Sequence, residues 1–285
     1  MAAPPSRRGT PRRRSSAKTS REEPASMEAA PVEVHVEDLA SYNESINIML
    51  YGPSGHGKTV LAGGAPNATF LSTEKGVVSA KRSGSKASLI KSPDWEHALS
   101  GVRWADDNLG PEDWLIIDSH TKMQILYIRW LLRQKNEENS ARDLDIPAIQ
   151  DHQKWQNAFM RWTDHIIDAQ YNSIFICTTM IKEDEEGEKL VLPAITGKDY
   201  TICNYVCAQM DVGLYYAISE RASTREQVVR RALAQPYPPY FAKDRYSALG
   251  DYQDVLPGDY TAMAEFIDLI RETEPKNKKK GRTVA

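Results

Sequence analysis

A chain of 285 residues, 41% of them apolar, holds enough nonpolar mass for one sizeable α/β domain and too little length for a second large one. Its formal charge of −3 is uneven: residues 1–30 carry +4 and residues 272–285 carry +3, which leaves −10 on residues 31–271. An acidic core between basic tails argues against a broad nucleic-acid surface on the core, although a local groove or the tails can still meet phosphates, and no apolar run nears the roughly 20 residues of a membrane span.

In chain order, residues 1–30 are rich in Ala, Pro, Ser and Arg and nearly free of large apolar side chains, so they are expected to form a disordered basic arm. Arg- and Ser-rich character at 6–21 leaves a transit peptide open beside a solvated tail, and the apolar stretch of a secretory signal is missing. Residues 31–271 then alternate short apolar runs with longer amphipathic stretches, which predicts a mainly parallel sheet flanked by helices. Strands are expected at Ile46–Tyr51, Thr69–Ser72, Trp114–Asp118, Ser173–Thr179 and Val212–Ile218. Helices are expected at Lys58–Gly63, Asp94–Asp107, Thr121–Lys135, Ala148–Ala169, Asp199–Met210 and Tyr260–Ile270. The charged run Lys182–Lys189 around Gly187 reads as a hairpin tip or loop, and the three prolines of Gln235–Tyr240 make a stiff connector. The Lys-rich residues 272–285 close the chain as a second disordered tail. Cys177, Cys203 and Cys207 lack the neighbours of a metal set and are expected to be reduced thiols of a cytoplasmic protein.

The strongest motif is Gly52-Pro53-Ser54-Gly55-His56-Gly57-Lys58-Thr59, which matches the phosphate-binding pattern Gly-x-x-x-x-Gly-Lys-Thr between an expected strand and an expected helix. Glycines let such a loop curl so that its amides face phosphate oxygens. Lys58 then contacts the β and γ phosphates of ATP and Thr59 ligates Mg2+. The nucleotide-binding set thus runs from Gly52 to Val60, with Pro53, Ser54 and His56 as variable loop positions. Asp118 ends the apolar strand Trp114–Asp118 and would place a carboxylate beside the loop to hold a magnesium-bound water, the alternative being a simple turn acid. Hydrolysis also needs a group for the attacking water. Glu74, after Thr69–Ser72, is the candidate, with a surface turn acid before Gly76 as the alternative.

These residues, together with Ala65-Pro66-Asn67-Ala68-Thr69-Phe70-Leu71-Ser72-Thr73-Glu74-Lys75-Gly76 and Asp118-Ser119, resemble the RecA/RadA-like P-loop ATPase core. The chain more closely resembles small phage-encoded RecA-like ATPases, often described as AAA-family ATP-binding proteins, whose Sak-type members act in single-strand annealing. The likeness covers residues 46 to about 270 and includes Leu192–Lys198, Gln209–Tyr216 and Ala242–Tyr246. It implies a RecA-like fold, Mg2+-dependent ATP hydrolysis stimulated by DNA, a ring or filament of identical subunits, single-stranded DNA as partner with a single-strand-binding protein as a further one, no membrane, and the host cytoplasm as the compartment. It further implies that Lys243 and Arg245 reach from one subunit into the neighbour's nucleotide site; an exposed basic turn is the other reading. Where related proteins carry a γ-phosphate-sensing His or Gln, this chain has Thr178 and Thr179. The acidic loop after them, Glu183 to Glu188, would repel DNA, which leaves Lys198 and the arm as the DNA contacts.

Among six tryptophans and thirteen tyrosines, Trp155, Phe159 and Trp162 recur at helical spacing as a packed stripe, whereas Tyr237 or Tyr240 is a candidate to meet adenine or a neighbouring subunit. Three functions remain distinct at this level: a recombination ATPase that pairs or anneals strands, a helicase-like or remodelling motor of DNA replication or repair, and a nucleotide-gated assembly module with weak hydrolysis.

Overall fold

The computed structural model describes residues 45–183, 186–197, 201–220, 223–224 and 227–273. The basic arm, Lys198, Asp184, Glu185 and all but the first two residues of the C-terminal tail lie outside the described residues. The architecture is α/β, with a mainly parallel mixed sheet flanked by helices.

Six strands run parallel in the order β3 (Ser88–Lys91), β2 (Ala68–Ser72), β4 (Trp114–Asp118), β5 (Asn172–Cys177), β1 (Asn47–Tyr51) and β8 (Val212–Ile218). Four of them, β1, β2, β4 and β5, are buried at every residue, because helices cover both faces. Beyond β8 the sheet turns antiparallel through β9 (Arg230–Leu233) and β11 (Tyr252–Val255), and the two-residue β10 (Lys243–Asp244) pairs with the start of β8. A separate hairpin, β6 (Thr179–Glu183) with β7 (Lys189–Pro193), carries the charged tip expected there.

Alternation along each strand divides the core in two. One face, with Leu50, Phe70, Ile116, Ile174 and Tyr216, packs against α1 (Lys58–Ala62), α2 (Val77–Arg82) and α7 (Ala262–Glu272). The other, with Met49, Tyr51, Leu71, Ile117 and Phe175, packs against α3 (Trp95–Asn108), α4 (His120–Glu138), α5 (Ile149–Ile167) and α6 (Thr201–Gln209). Trp155, Phe159 and Trp162 lie buried along α5, as their spacing predicts.

Several expectations shift. The predicted strand Ser173–Thr179 ends at Cys177, and Thr179 opens the hairpin instead. The predicted helix Lys58–Gly63 is the five-residue α1, so a macrodipole adds little at the loop and the loop's own amides and Lys58 carry the charge complementarity. Strands β3, β9 and β11 and helix α2 were not expected from the sequence; they are short and only partly buried.

The segment after α1 meets the segment before α7 at Gly64, where an added Cβ would stand 1.4 Å from the Tyr260 carbonyl oxygen. Backbone, not a movable side chain, occupies that space. Gly64→Ala is therefore expected to cost roughly 3 kcal/mol or more, read as a lower denaturant midpoint at unchanged slope. A midpoint equal to the wild type would show that the α7 approach yields.

Candidate active site

The phosphate-loop motif leaves the sheet at the carboxyl end of β1 and rises over the edge where β5, β4 and β2 also end. Geometry dictates its glycines, Gly55 among them at φ 80°. A Cβ on Gly52 would lie 2.0 Å from the Tyr216 carbonyl oxygen, and Gly57 sits at φ 93°, in the left-handed region. Ser54 and Gly55 are exposed at the tip, Pro53 is half-buried, and Val60 is buried on α1.

Lys58 is buried, and its Nζ donates to the carbonyls of Gly52 and Pro53, each at 2.8 Å, which closes the loop on itself. Burial lowers the ammonium's pKa, while the neighbouring Cys177, Asp118 and Glu74 oppose that shift. His56, read from sequence as spacing, has a positioning contact: its Nδ1 accepts from the Ile218 amide at 3.1 Å and ties the loop to the end of β8. Burial, then Lys58 and Arg230, lower the pKa of this imidazole, which favours the neutral ring that such an acceptor requires.

Asp118 ends β4 as expected and is 4% exposed. Its Oδ2 accepts from Thr59 Oγ1 at 3.1 Å, so hydroxyl and carboxylate meet across 59 residues of chain. Burial pushes this carboxyl up to about 6, with Glu74 adding to the rise and Thr59 and Lys58 opposing it. Glu74 is exposed on the turn after β2, where its Oε1 accepts from Ser119 Oγ at 3.4 Å. Lys58, Thr59, Asp118 and Glu74 thus share one sheet edge. Their chemistry fits Mg2+ and a polyphosphate: hard oxygen donors at Thr59 and Asp118, and a cation at Lys58 at the start of α1.

Thr178 directly follows β5 on the same edge, with its amide held by Thr121 Oγ1 at 3.3 Å, while Thr179 pairs with Pro193 in the hairpin. Of the two candidates for phosphate sensing, Thr178 is the one left at the strand end.

Lys243 and Arg245 lie elsewhere. Lys243 is level with Gly213, and Arg245 donates its amide to the Asp211 carbonyl oxygen, at the amino-terminal end of β8 and β1 and away from the loop. Lys243 Nζ donates to the Ala208 carbonyl at 2.8 Å, and burial followed by Arg245 lowers its pKa. Arg245 Nη1 donates to Asp211 Oδ1 at 2.5 Å, and the other oxygen of this buried carboxylate accepts from the Asn47 amide at 2.8 Å. Tyr240 stacks on Tyr215 of its own chain at 4.2 Å, and Tyr237 is exposed nearby. Among the described residues, no helix is long and apolar enough to cross a membrane.

Sequence reasoning missed Arg230, the first residue of β9, whose guanidinium lies against Gly57. Its signal in the sequence, one of two adjacent arginines after Val228-Val229, matches no nucleotide-site motif.

No curated protein matches this sequence. A family model described as an AAA domain matches residues 44–246, from just before β1 to just after β10. That span includes the loop, Glu74 and Asp118 and covers more than half of the chain, which shows that the chain belongs to the AAA-domain family of P-loop ATPases.

Proposed function

We propose that the protein hydrolyses ATP at the Gly52–Thr59 loop and works as a homo-oligomer on single-stranded DNA, using turnover to pair or anneal strands in phage recombination. The observation that carries the hydrolytic part is the Thr59–Asp118 contact at 3.1 Å, with Lys58 and Glu74 on the same edge. ATP with Mg2+ would supply the phosphorus to be attacked and the ion that neutralises its oxygens, held by Lys58, Thr59, Asp118 and the loop amides. Glu74, oriented by Ser119 Oγ, orients the water and takes its proton. Single-stranded DNA as partner rests on the resemblance to annealing ATPases and on the +4 charge of residues 1–30.

A second reading, nucleotide-gated assembly with weak turnover, is favoured by one feature. Thr178 and Thr179 stand where related proteins place a His or Gln sensor, and Thr178, the one left at the strand end, presents a short hydroxyl instead.

Hydrolysis by the full chain with and without single-stranded DNA, beside annealing and strand-displacement assays, separates the readings. Stimulated turnover with annealing supports the proposal. Displacement moves it to a motor, and ATP-dependent assembly without turnover to the second reading. Glu74→Gln is expected to retain nucleotide binding and lose turnover by about 100-fold or more. Full turnover in that variant would move the base elsewhere.

A further inference from the structure

We propose that Arg230 is a second phosphate-contacting cation of the nucleotide site, acting within the chain that carries the loop; this rests on the reading of the loop as an ATP site. Strand β9 runs antiparallel to β8, so its first residue emerges at the carboxyl edge of the sheet, and Arg230 pairs with Ile218, whose amide holds His56 of the loop. Arg230 lies on the same sheet face as its strand neighbour Ala232, which pairs with Tyr216 on the side where α1 packs. The consequence is close contact: a Cβ on Gly57 would stand 3.1 Å from Arg230 Cζ and Nη1 and 3.3 Å from Nε.

The two arginines that open β9 have different surroundings. Arg231, on the opposite face, is satisfied by two hydrogen bonds to Asp254, at 2.7 and 2.9 Å, and lies over the Tyr252 ring. Among the described residues, the side-chain partner of Arg230 is the Tyr216 hydroxyl, and its Nε is buried without a hydrogen bond. No carboxylate among those residues pairs with it. A partly buried guanidinium without a counter-ion is costly unless an anion arrives, and its planar fork suits phosphate oxygens. Lys58 lies next in sequence to the glycine that Arg230 touches, so the two cations flank one stretch of loop. Both act on His56, whose pKa each lowers after burial has done so. The ligand class is therefore the polyphosphate of a nucleotide, with Arg230 and Lys58 sharing its charge.

The test uses the full chain and a fluorescent ATP analogue displaced by ATP or ADP. Arg230→Ala is expected to weaken ATP binding by about 10- to 100-fold, the value of a charge-assisted hydrogen bond. Millimolar guanidinium ion should restore part of that binding, which a purely structural loss would not allow. Arg230→Lys, which keeps the charge and loses the fork, should fall between the two and serves if the alanine variant melts early. Wild-type affinity in both variants, with Lys58→Ala binding lost, would overturn the role of Arg230 and leave the ATP site intact. Wild-type affinity in Lys58→Ala as well would overturn the site itself.

Discussion

Asp118→Asn is expected to melt a few degrees above the wild type at pH 7 without nucleotide, while losing Mg2+-dependent turnover by about 100-fold or more. Burial pushes the folded-state carboxyl up to about 6, above the roughly 3.9 of an unfolded aspartate. The folded chain therefore holds this proton more tightly than the unfolded chain, and Asp118 erodes stability as pH rises from about 4 to about 6. At neutral pH the ionised group then costs roughly 3 kcal/mol, at about 1.4 kcal/mol per pH unit. Asparagine keeps an oxygen to accept from Thr59 Oγ1 and removes the charge. Its amide nitrogen returns about 1 kcal/mol if it finds no acceptor, leaving a net gain near 2 kcal/mol and a rise of several degrees. The gain should vanish below about pH 4, where the wild-type carboxyl is protonated in both states. Calorimetry across pH 4–7 measures it. A variant no more stable than the wild type at pH 7, or equally stabilised at pH 4, would show that the buried carboxylate is not the cost.

The same residue shows how far a sequence carries. That an acid ends an apolar strand in Trp114–Asp118 is visible from residue types, and so is the loop between β1 and α1, because glycines at 52 and 57 and the Lys-Thr pair have a local backbone requirement. The pKa of Asp118 is not visible, since it depends on the burial that β2, β4 and β5 create together around its side chain. Strands β9 and β11 escaped for a related reason. Arg-Arg-Ala-Leu and Tyr-Gln-Asp-Val have no apolar run of their own, and they are strands because β8 offers an edge and they pair with each other. Without β9 in the sheet, Arg230 had no place near Gly57. The Lys243–Arg245 pair stands out only through the family resemblance, since its residues alone read as a basic turn, and its position at the amino-terminal end of β8 comes from the register Lys243 to Gly213, which only the folded sheet sets.

That position sharpens the last prediction: Lys58→Ala and Arg245→Ala should each lose nearly all turnover alone, and a mixture of the two should recover part of it. Arg245 contacts Asp211, one residue before Val212, and Val212 is level with Ile48 in β1. Asp211 is thus level with Asn47, and the five residue steps from there to Gly52 span about 17 Å at roughly 3.3 Å each, so Arg245 does not reach the loop of its own chain. A role at a nucleotide requires a second subunit. Within its own chain the guanidinium side chain is 49% exposed beside the buried Asp211 carboxylate, and solvent screening limits that ion pair to about 1 kcal/mol. Arg245→Ala should therefore fold, bind ATP with wild-type affinity and hydrolyse it poorly. In a mixed assembly some interfaces join an intact Lys58 loop to an intact Arg245, and activity should return with a dependence on protein concentration. If Arg245 serves only Asp211, the variant will melt lower, retain turnover at temperatures where it is folded, and gain nothing from the mixture. Two inactive proteins whose mixture stays inactive, at concentrations where assembly and subunit exchange are verified, would reject action between subunits.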